Sequence, residues 1–355
     1  MSIFGAVKLI DTTGAAQGVL IENNCPTMRD YLIGVAEGDV TNHTRFSKFG
    51  YTPSATVAQS DIISQGGLYV FPTAATAMAV IGAAGDDGSP AIYSGTDTGG
   101  GTAIKLVDTG KNFTTVPAVA GDTVILEKAG ASPEFGIVTS LTGTDTLNVA
   151  AGFSEGGSAS GRTYDVVRKS LSAGAQAVEI HYLDTAYLEK REIVILNGAA
   201  EVGVTATPFR INSMEVVAAG STGAAAGAIS LKAPTPATAV YANITLGYSI
   251  ARQAIYTVPA ATTLLVNKFT GGFSLSAGLK WEYGRITLRA NQAPEHDFLS
   301  GNIFYPHAEL LANNSTIIVP FALPMKFIAK TDIRVSIAAS DPGVAVCSLR
   351  GWLET

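Results

Sequence analysis

Residues 332–338 read DIRVSIA, and this heptapeptide shows the pattern that decides the fold. Aliphatic residues at 333, 335 and 337 alternate with Arg334 and Ser336, so successive side chains point to opposite faces of a strand. One face is apolar and the other is polar, which is typical of an antiparallel strand packed against a core on one side only. The heptapeptide therefore predicts a sheet with one buried face and one wet face.

Short runs of the same kind recur along most of the chain. They are rich in Val, Ile, Thr and Tyr and are bounded by Gly, Pro, Asn and Asp, whereas helical periodicity is almost absent. The clearest are Gly121–Leu126, Gly136–Ser140, Gln176–Leu183, Glu192–Leu196, Arg210–Val217, Ala228–Lys232, Thr262–Lys268, Arg285–Ala290 and Ser315–Pro320. We therefore predict an all-β chain, with a short helix at Met28–Ala36 as the one exception.

The distribution of glycine and of strand signals predicts four segments. Residues 1–50 lack a strand ladder, so we expect an extended N-terminal arm that gains order on neighbouring subunits, with a partly disordered leader as the alternative. Seven of the twenty residues at 82–101 are glycine, which is typical of a linker. We expect an inserted small β-barrel or sandwich domain at 87–168, and a main jelly-roll-like β-sandwich made of residues 51–86 and 169–355.

Composition limits the classes of function. Charged residues make up only 15% of the chain, against about 25% in ordinary soluble domains, which favours a surface that other protein covers. The net charge of -6 at pH 7 implies no basic face for nucleic acid, and no apolar run is long enough for a membrane span. The start of the sequence lacks the features of a signal peptide, so we expect synthesis in the cytoplasm and free thiols. Pairing of Cys25 with Cys347 stays open.

The candidates for metal and acid–base chemistry are few. His43, His181, His296 and His307 share no metal-binding spacing, and a Cys-x-x-Cys motif is missing. The densest acid and histidine cluster is Pro294–Asp297, which we interpret as a polar loop, with a metal or proton-transfer site as the alternative. Glycoside hydrolysis would need two facing carboxylates. Glu282, Glu295 and Asp297 are the candidates, and their spacing in sequence does not bring any two together.

The nucleophile and nucleotide motifs are incomplete. AGSTG at 219–223 lacks the first glycine of a nucleophile elbow, and Leu106–Asn112 contains Thr-Gly-Lys without the upstream glycine of a P-loop. The triple glycine at 99–101 precedes no helix. We therefore predict no catalytic, cofactor-binding or metal-binding residues, no cofactor and no enzymatic activity.

Several short segments resemble one protein family. They are Arg45–Gly50 (RFSKFG), 61–73 (DIISQGGLYVFPT), Phe209–Val217 (FRINSMEVV), Gly227–Lys232 and Ile255–Pro259 (IYTVP). Together they resemble structural proteins of tailed-bacteriophage virions, in which Trp often stands where this chain has Ile63. The segments DTGKNFTT at 108–115, VAGDTVILE at 119–127 and TLNVAAGF at 146–153 are similar to a small β-module that recurs in such proteins.

The resemblance implies a role on the virus particle and carries over no catalytic residues. Capsid decoration, or cement, is the first expectation, and a head-fibre or tail protein that contacts the host surface is the alternative. An enzyme or a free carbohydrate-binding protein is the third hypothesis. We expect the major capsid protein as a partner, a homo-oligomer with a trimer favoured, no contact with nucleic acid or membrane, and a host-surface glycan as the alternative partner. The expected location is the virion, after synthesis in the host cytoplasm.

Overall fold

The computed structural model describes residues 42–99, 102, 104–128, 133–150, 153, 161–275, 283–294 and 297–355, together with two short strands at 9–10 and 16–17. Within these residues the regular structure consists of 24 strands and contains no helix. The pairings that build the sheets are antiparallel. The prediction of an all-β chain is confirmed.

The strands follow one another along the whole described chain. The first half contains β1 (Leu9–Ile10), β2 (Ala16–Gln17), β3 (His43–Ala55), β4 (Ser60–Asp61), β5 (Ala79–Ile81), β6 (Tyr93–Thr96), β7 (Lys105–Val107), β8 (Thr123–Leu126), β9 (Glu134–Thr142), β10 (Thr146–Ala150), β11 (Thr163–Val167) and β12 (Ala175–Leu183). The second half contains β13 (Glu189–Ile195), β14 (Val202–Gly203), β15 (Arg210–Ala219), β16 (Ile229–Lys232), β17 (Val240–Ile244), β18 (Ile255–Thr257), β19 (Thr263–Leu275), β20 (Gly284–Ala290), β21 (Tyr305–Ala312), β22 (Ser315–Phe327), β23 (Asp332–Ala339) and β24 (Gly343–Glu354).

Eight strands form a sandwich with jelly-roll topology. Counted along the chain, β3 is the first of the eight and β18 to β24 are the second to the eighth. One sheet has the order β3-β24-β19-β22 and the other has the order β18-β23-β20-β21, which is 1-8-3-6 facing 2-7-4-5. That is the order of a double-sheet jelly roll. Its core contains Phe269 and Phe273 from one sheet and Ile286 and Leu288 from the other, all almost fully buried.

The heptapeptide at 332–338 occupies β23, with its three aliphatic side chains in this core. Its polar face differs from the expectation of a wet surface, because Ser336 is buried. The short strand β4 pairs with β23, and the Ser336 hydroxyl donates a 2.7 Å hydrogen bond to the Asp61 carboxylate. The alternation predicted which side faces the core, but not that a distant segment covers the other side.

The chain between β4 and β18 builds a second sandwich before it returns to the jelly roll. Its sheets have the orders β13-β12-β15 and β14-β5-β16-β17. Val178 and Ile180 of β12 pack against Val80 and Leu231 of the opposite sheet. Strand β12 is buried along nearly its whole length, and its buried residues include the polar Gln176 and the charged Glu179.

The six strands between Tyr93 and Val167 form one sheet with the order β6-β11-β8-β9-β10-β7. It has a core of its own, which includes Leu106, Phe113, Val124, Leu147 and Val166. A smaller apolar cluster joins this sheet to the second sandwich, where Ile125 and Val167 contact residues of β12, β13 and β15.

The domain boundaries that these cores define differ from the boundaries predicted from the sequence. Strand β3 begins at His43, so residues 43–50, which we assigned to the arm, belong to the jelly roll. Residues 169–355 were expected to form one sandwich with 51–86, but the strands of 175–244 pack in the second sandwich. Both sandwiches use short alternating strands, and no glycine-rich linker separates β17 from β18, so the sequence contains no signal for this boundary.

Some predictions concern residues outside those described. They are the arm before residue 42, apart from β1 and β2, and the helix at Met28–Ala36. In the described residues, no helix is long and apolar enough to cross a membrane.

Candidate functional site

The histidines and acids singled out in the sequence are mostly dispersed in the described structure. His43 Nε2 lies 3.2 Å from a Glu354 oxygen, and His307 Nε2 lies 2.9 Å from the Gln292 carbonyl oxygen. Asp297 forms a 2.8 Å ion pair with Lys326 at the surface. Its suggested partners for acid–base chemistry, Glu282, Glu295 and His296, lie outside the described residues, as does Cys25.

The incomplete motifs lie in turns. AGSTG at 219–223 begins at the last residue of β15 and continues into a turn. The Thr-Gly-Lys piece follows β7 in a second turn, in which Asp108 accepts a hydrogen bond from the Gly110 amide. Neither segment presents a strand–turn–helix arrangement in the described chain.

Strand β22 forms an open edge of the jelly roll. Among the described strands it pairs with β19 alone, and Lys326 is the one charged residue among its thirteen. Natural edge strands usually carry charges or proline that prevent pairing with another chain. Here Pro320 and Pro324 lack an N–H group and so limit strand addition, while the side chains around them remain apolar.

The edge also bulges toward solvent. Met325 pairs with Val266 and Pro320 pairs with Lys268, so residues 321–324 stand opposite a single residue of β19. In this bulge Leu323 is 86% exposed, and Ile318 earlier in the strand is 59% exposed. Apolar side chains this exposed mark a surface suited to contact with other protein.

A cleft of about 700 Å³ lies where the jelly roll meets the second sandwich. Residues 68–73, which connect β4 to β5, form one wall, and Leu68 and Val70 there are 57% and 70% exposed. The second sandwich contributes Tyr187, Phe209 and Arg210, and the jelly roll contributes residues of 291–304 and 330–334. The volume is in the range of small-molecule sites.

A buried ion pair joins the two sandwiches at the base of the cleft. Arg210 Nε and Nη2 donate to the two oxygens of Asp332 at 2.9 and 3.0 Å. The Thr257 hydroxyl donates to the same carboxylate at 2.6 Å, and the Arg210 guanidinium stacks over Phe209 at 4.0 Å. The Asn212 side chain adds two hydrogen bonds to the backbone of Thr257. Because bidentate pairs impose a fixed geometry, this network holds the sandwiches in one relative position.

The cleft carries an excess of positive charge. Arg210 is neutralised by Asp332, and Arg334 lies 3.5 Å from Asp61 and 3.8 Å above the Phe304 ring. Burial raises the pKa of Asp61, although Arg334 and hydrogen bonds act in the opposite direction. Lys330 has no carboxylate partner within the described residues; its ammonium lies 5.4 Å from the centre of the Tyr187 ring. A ligand with an anionic group and an apolar body fits this lining.

Segments that carry the family resemblance converge at this junction. The GGLYVFPT stretch at 66–73 forms a cleft wall, and Phe209 with Arg210 comes from the FRINSMEVV stretch. Lys48 of the RFSKFG stretch donates a hydrogen bond to the Asn212 carbonyl oxygen. Their role in this chain is to join the jelly roll to the second sandwich.

A cluster of titratable groups lies on the three-stranded sheet. Glu179 of β12 is directly opposite Glu215 of β15, and His181 is two residues further along β12 on the same face. His181 Nε2 lies 3.0 Å from Glu179 and 3.5 Å from Glu215. Arg191 approaches Glu179 at 3.4 Å, and Lys48 lies close enough to interact with Glu215.

The surroundings shift the pKa values of this cluster. Burial alone would lower the pKa of His181, but hydrogen bonds with Glu179 and Glu215 outweigh it and raise the pKa to about 9. The hydrogen bond with His181 lowers the pKa of Glu215. Burial lowers the pKa of Lys48 to about 8, against the opposing attraction of Glu215. His181 is therefore protonated at neutral pH.

Comparison with known proteins adds no relative: the chain matches no family model, no curated protein and no solved structure.

Sequence reasoning missed both the cleft and the carboxylate–histidine cluster. The cleft combines residues from five stretches that lie up to 266 positions apart (68 to 334), so no local motif marks it. The cluster has one local signal, the Glu-x-His spacing at 179–181, which places both side chains on one face of a strand. Its third member, Glu215, is brought in by the register of β15.

Proposed function

We propose that this protein is a structural component of a tailed-bacteriophage virion, and that it decorates the capsid shell. Its function is then to bind the major capsid protein and further copies of itself. The observation that carries the proposal is the edge strand β22, with one charge in thirteen residues and Leu323 almost fully exposed. Such an edge is a liability for a free protein and suits one that is covered in an assembly.

Two properties of the chain support this role. The low content of charge leaves much of the surface to small polar and apolar residues, which lose little hydration when another protein covers them. A trimer, the oligomer we favour, would repeat each shell contact three times, and contacts made together hold much more tightly than each does alone.

The proposed role of β22 in shell binding can be tested by introducing a charged residue into this strand. Leu323→Asp should weaken binding to shells that lack the protein by at least about tenfold, because the carboxylate must be desolvated in the contact. Leu246→Asp is the matched control, since Leu246 is 66% exposed on the second sandwich, away from β22. Both variants should keep the thermal stability of the parent protein. Equal shell binding by the two variants would remove β22 from the proposed contact.

The cleft favours a second candidate, a head-fibre or tail protein that contacts the host surface. Its apolar wall suits an acidic surface saccharide, and so does Lys330, which has no carboxylate partner within the described residues. Lys330→Glu should then reduce binding of the purified protein to host cells while shell binding stays unchanged. If the parent protein binds shells and shows no affinity for host cells, this second candidate fails and decoration stands.

A further inference from the structure

We propose that Glu179, His181 and Glu215 form a binding site for a divalent transition-metal ion such as Zn²⁺. The inference concerns a site other than β22 and the cleft, and it does not depend on the proposed function. It rests on the convergence of three ligand atoms, on their burial and on an opening to solvent beside them.

The three ligand atoms already lie close together. His181 Nε2 and one carboxylate oxygen from each glutamate lie within 4.8 Å of one another. Zn²⁺ binds nitrogen and oxygen ligands at about 2.0–2.2 Å, so two ligands of a tetrahedral site are about 3.4 Å apart. The observed separations of 3.0 and 3.5 Å between Nε2 and the two carboxylates bracket that spacing. Small side-chain rotations would place an ion between the three groups.

A divalent ion would compensate the charges of the two glutamates better than the single proton on His181 does. Glu179 and Glu215 are directly opposite each other on neighbouring strands, a position in which like charges repel. The single proton on Nε2 can point at only one of them, and Glu179 is the nearer. Arg191 also approaches Glu179, whereas the Lys48 hydrogen bond goes to the Asn212 carbonyl oxygen and not to Glu215. A divalent ion in place of the proton would bond to both carboxylates at once.

The three proposed ligands are partly buried and partly accessible to solvent. The Glu179 side chain is only 5% exposed, while those of His181 and Glu215 are 36% and 41% exposed. A cavity of about 220 Å³ lies beside His181, and Arg191 and Asn212 are among its other lining residues. The cavity gives an ion a route from solvent and leaves room for the water that completes four-coordination.

The donor set selects the class of ion. One imidazole nitrogen and two carboxylate oxygens suit Zn²⁺ and related first-row ions, whereas Ca²⁺ and Mg²⁺ prefer oxygen ligands alone. The ion would connect β12 to β15 on the face that also carries Ala177 and Ala218. Those two alanines pack against Ile125 and Val167 of the six-stranded sheet. We therefore expect the ion to stabilise the sheet on which the six-stranded unit rests.

The test is a Zn²⁺ titration of the full-length chain after treatment with a chelator. Calorimetry should give one Zn²⁺ per chain that is lost in variants of the cluster, thermal unfolding should shift upward with Zn²⁺, and Co²⁺ should give the visible absorption of a nitrogen- and oxygen-ligated site. Mg²⁺ and Ca²⁺ at the same concentration should shift neither signal.

Substitutions of the proposed ligands test which side chains bind the ion. Glu215→Gln keeps the side-chain shape at a half-exposed position and should weaken Zn²⁺ binding at least tenfold, and His181→Gln should abolish it. His43→Gln is the matched control, because His43 also contacts a glutamate, Glu354, but lies in no three-ligand cluster of the described residues. Parent-like Zn²⁺ affinity in Glu215→Gln and His181→Gln, or equal binding of Ca²⁺ and Zn²⁺, would overturn the proposal.

Discussion

Three glycines in the resemblance segments have physical reasons to be glycine. A Cβ atom on Gly50 would lie 2.6 Å from Ala254 Cβ and 2.7 Å from the Ile62 carbonyl oxygen. Gly66 and Gly67 have φ angles of 71° and 78°, in the left-handed region that side chains disfavour. The first glycine lets β3 pack closely against neighbouring backbone, and the other two turn the chain into the cleft wall.

Gly50→Ala should therefore lower the free energy of unfolding by about 2–3 kcal/mol, because the backbone contacts cannot move aside. Gly203→Ala is the control, since no atom lies within 4 Å of the Cβ position there. Urea unfolding of both variants measures the difference. Equal stabilities would mean that β3 can shift freely against its neighbours.

His181 predicts a pH dependence of stability in chelator-treated protein. Its pKa is raised from 6.5 to about 9 on folding, so its contribution is fully present below pH 6.5 and is lost as the pH rises toward 9. Because the ring is 36% exposed and solvent screens it, we expect a contribution of about 1 kcal/mol. Denaturant unfolding between pH 6 and 9 should show this decline in the parent protein and not in His181→Gln.

Lys48 acts with the opposite sign at higher pH. Its pKa falls from 10.5 to about 8 on folding, so its unfavourable contribution is present below pH 8 and disappears as the pH rises toward 10.5. The comparison for His181 is therefore cleanest below pH 8. A parent protein whose stability increases from pH 6.5 to 8 relative to His181→Gln would contradict the assignment.

At the scale of elements, the alternation of side chains made the strands predictable and left their partners unspecified. Residues 332–338 form a strand with its aliphatic face in the core, as predicted, but the pairing of β23 with β4 joins residues separated by more than 270 positions. Such pairings depend on the folded chain as a whole. Likewise, the buried Asp86 carboxylate accepts hydrogen bonds from the amides of Ala226 and Gly227, which lie 140 and 141 positions further along the chain.

The junction between the sandwiches should depend on Arg210 and Asp332. Asp332→Asn leaves the Arg210 charge buried without compensation, so we expect a loss of about 3 kcal/mol in the free energy of unfolding. Asp297→Asn breaks an exposed pair with Lys326 and should cost at most about 0.5 kcal/mol. Chemical denaturation of both variants provides the measurement. A cost for Asp332→Asn no larger than that of Asp297→Asn would show that the pair does not hold the junction.

At the scale of the whole molecule, the sequence predicted the β class and the presence of a small β-unit near residues 87–168, and it missed the nesting. The jelly roll is interrupted between its first and second strands, β3 and β18, by about two hundred residues that contain a complete second sandwich and the six-stranded sheet. The alternation of apolar and polar residues along the strands is the same in all three units. Only the packing of Phe269, Val178 or Phe113 into separate cores distinguishes them.

The central claim, decoration of a capsid shell, is tested most directly by the number of copies per particle. Quantitative mass spectrometry of purified virions would compare peptides of this protein with peptides of the major capsid protein. We predict hundreds of copies in a simple ratio to the shell subunit, because each local symmetry axis of the shell repeats the binding site. A result of only about a dozen copies would place the protein at a vertex or on the tail and would contradict decoration.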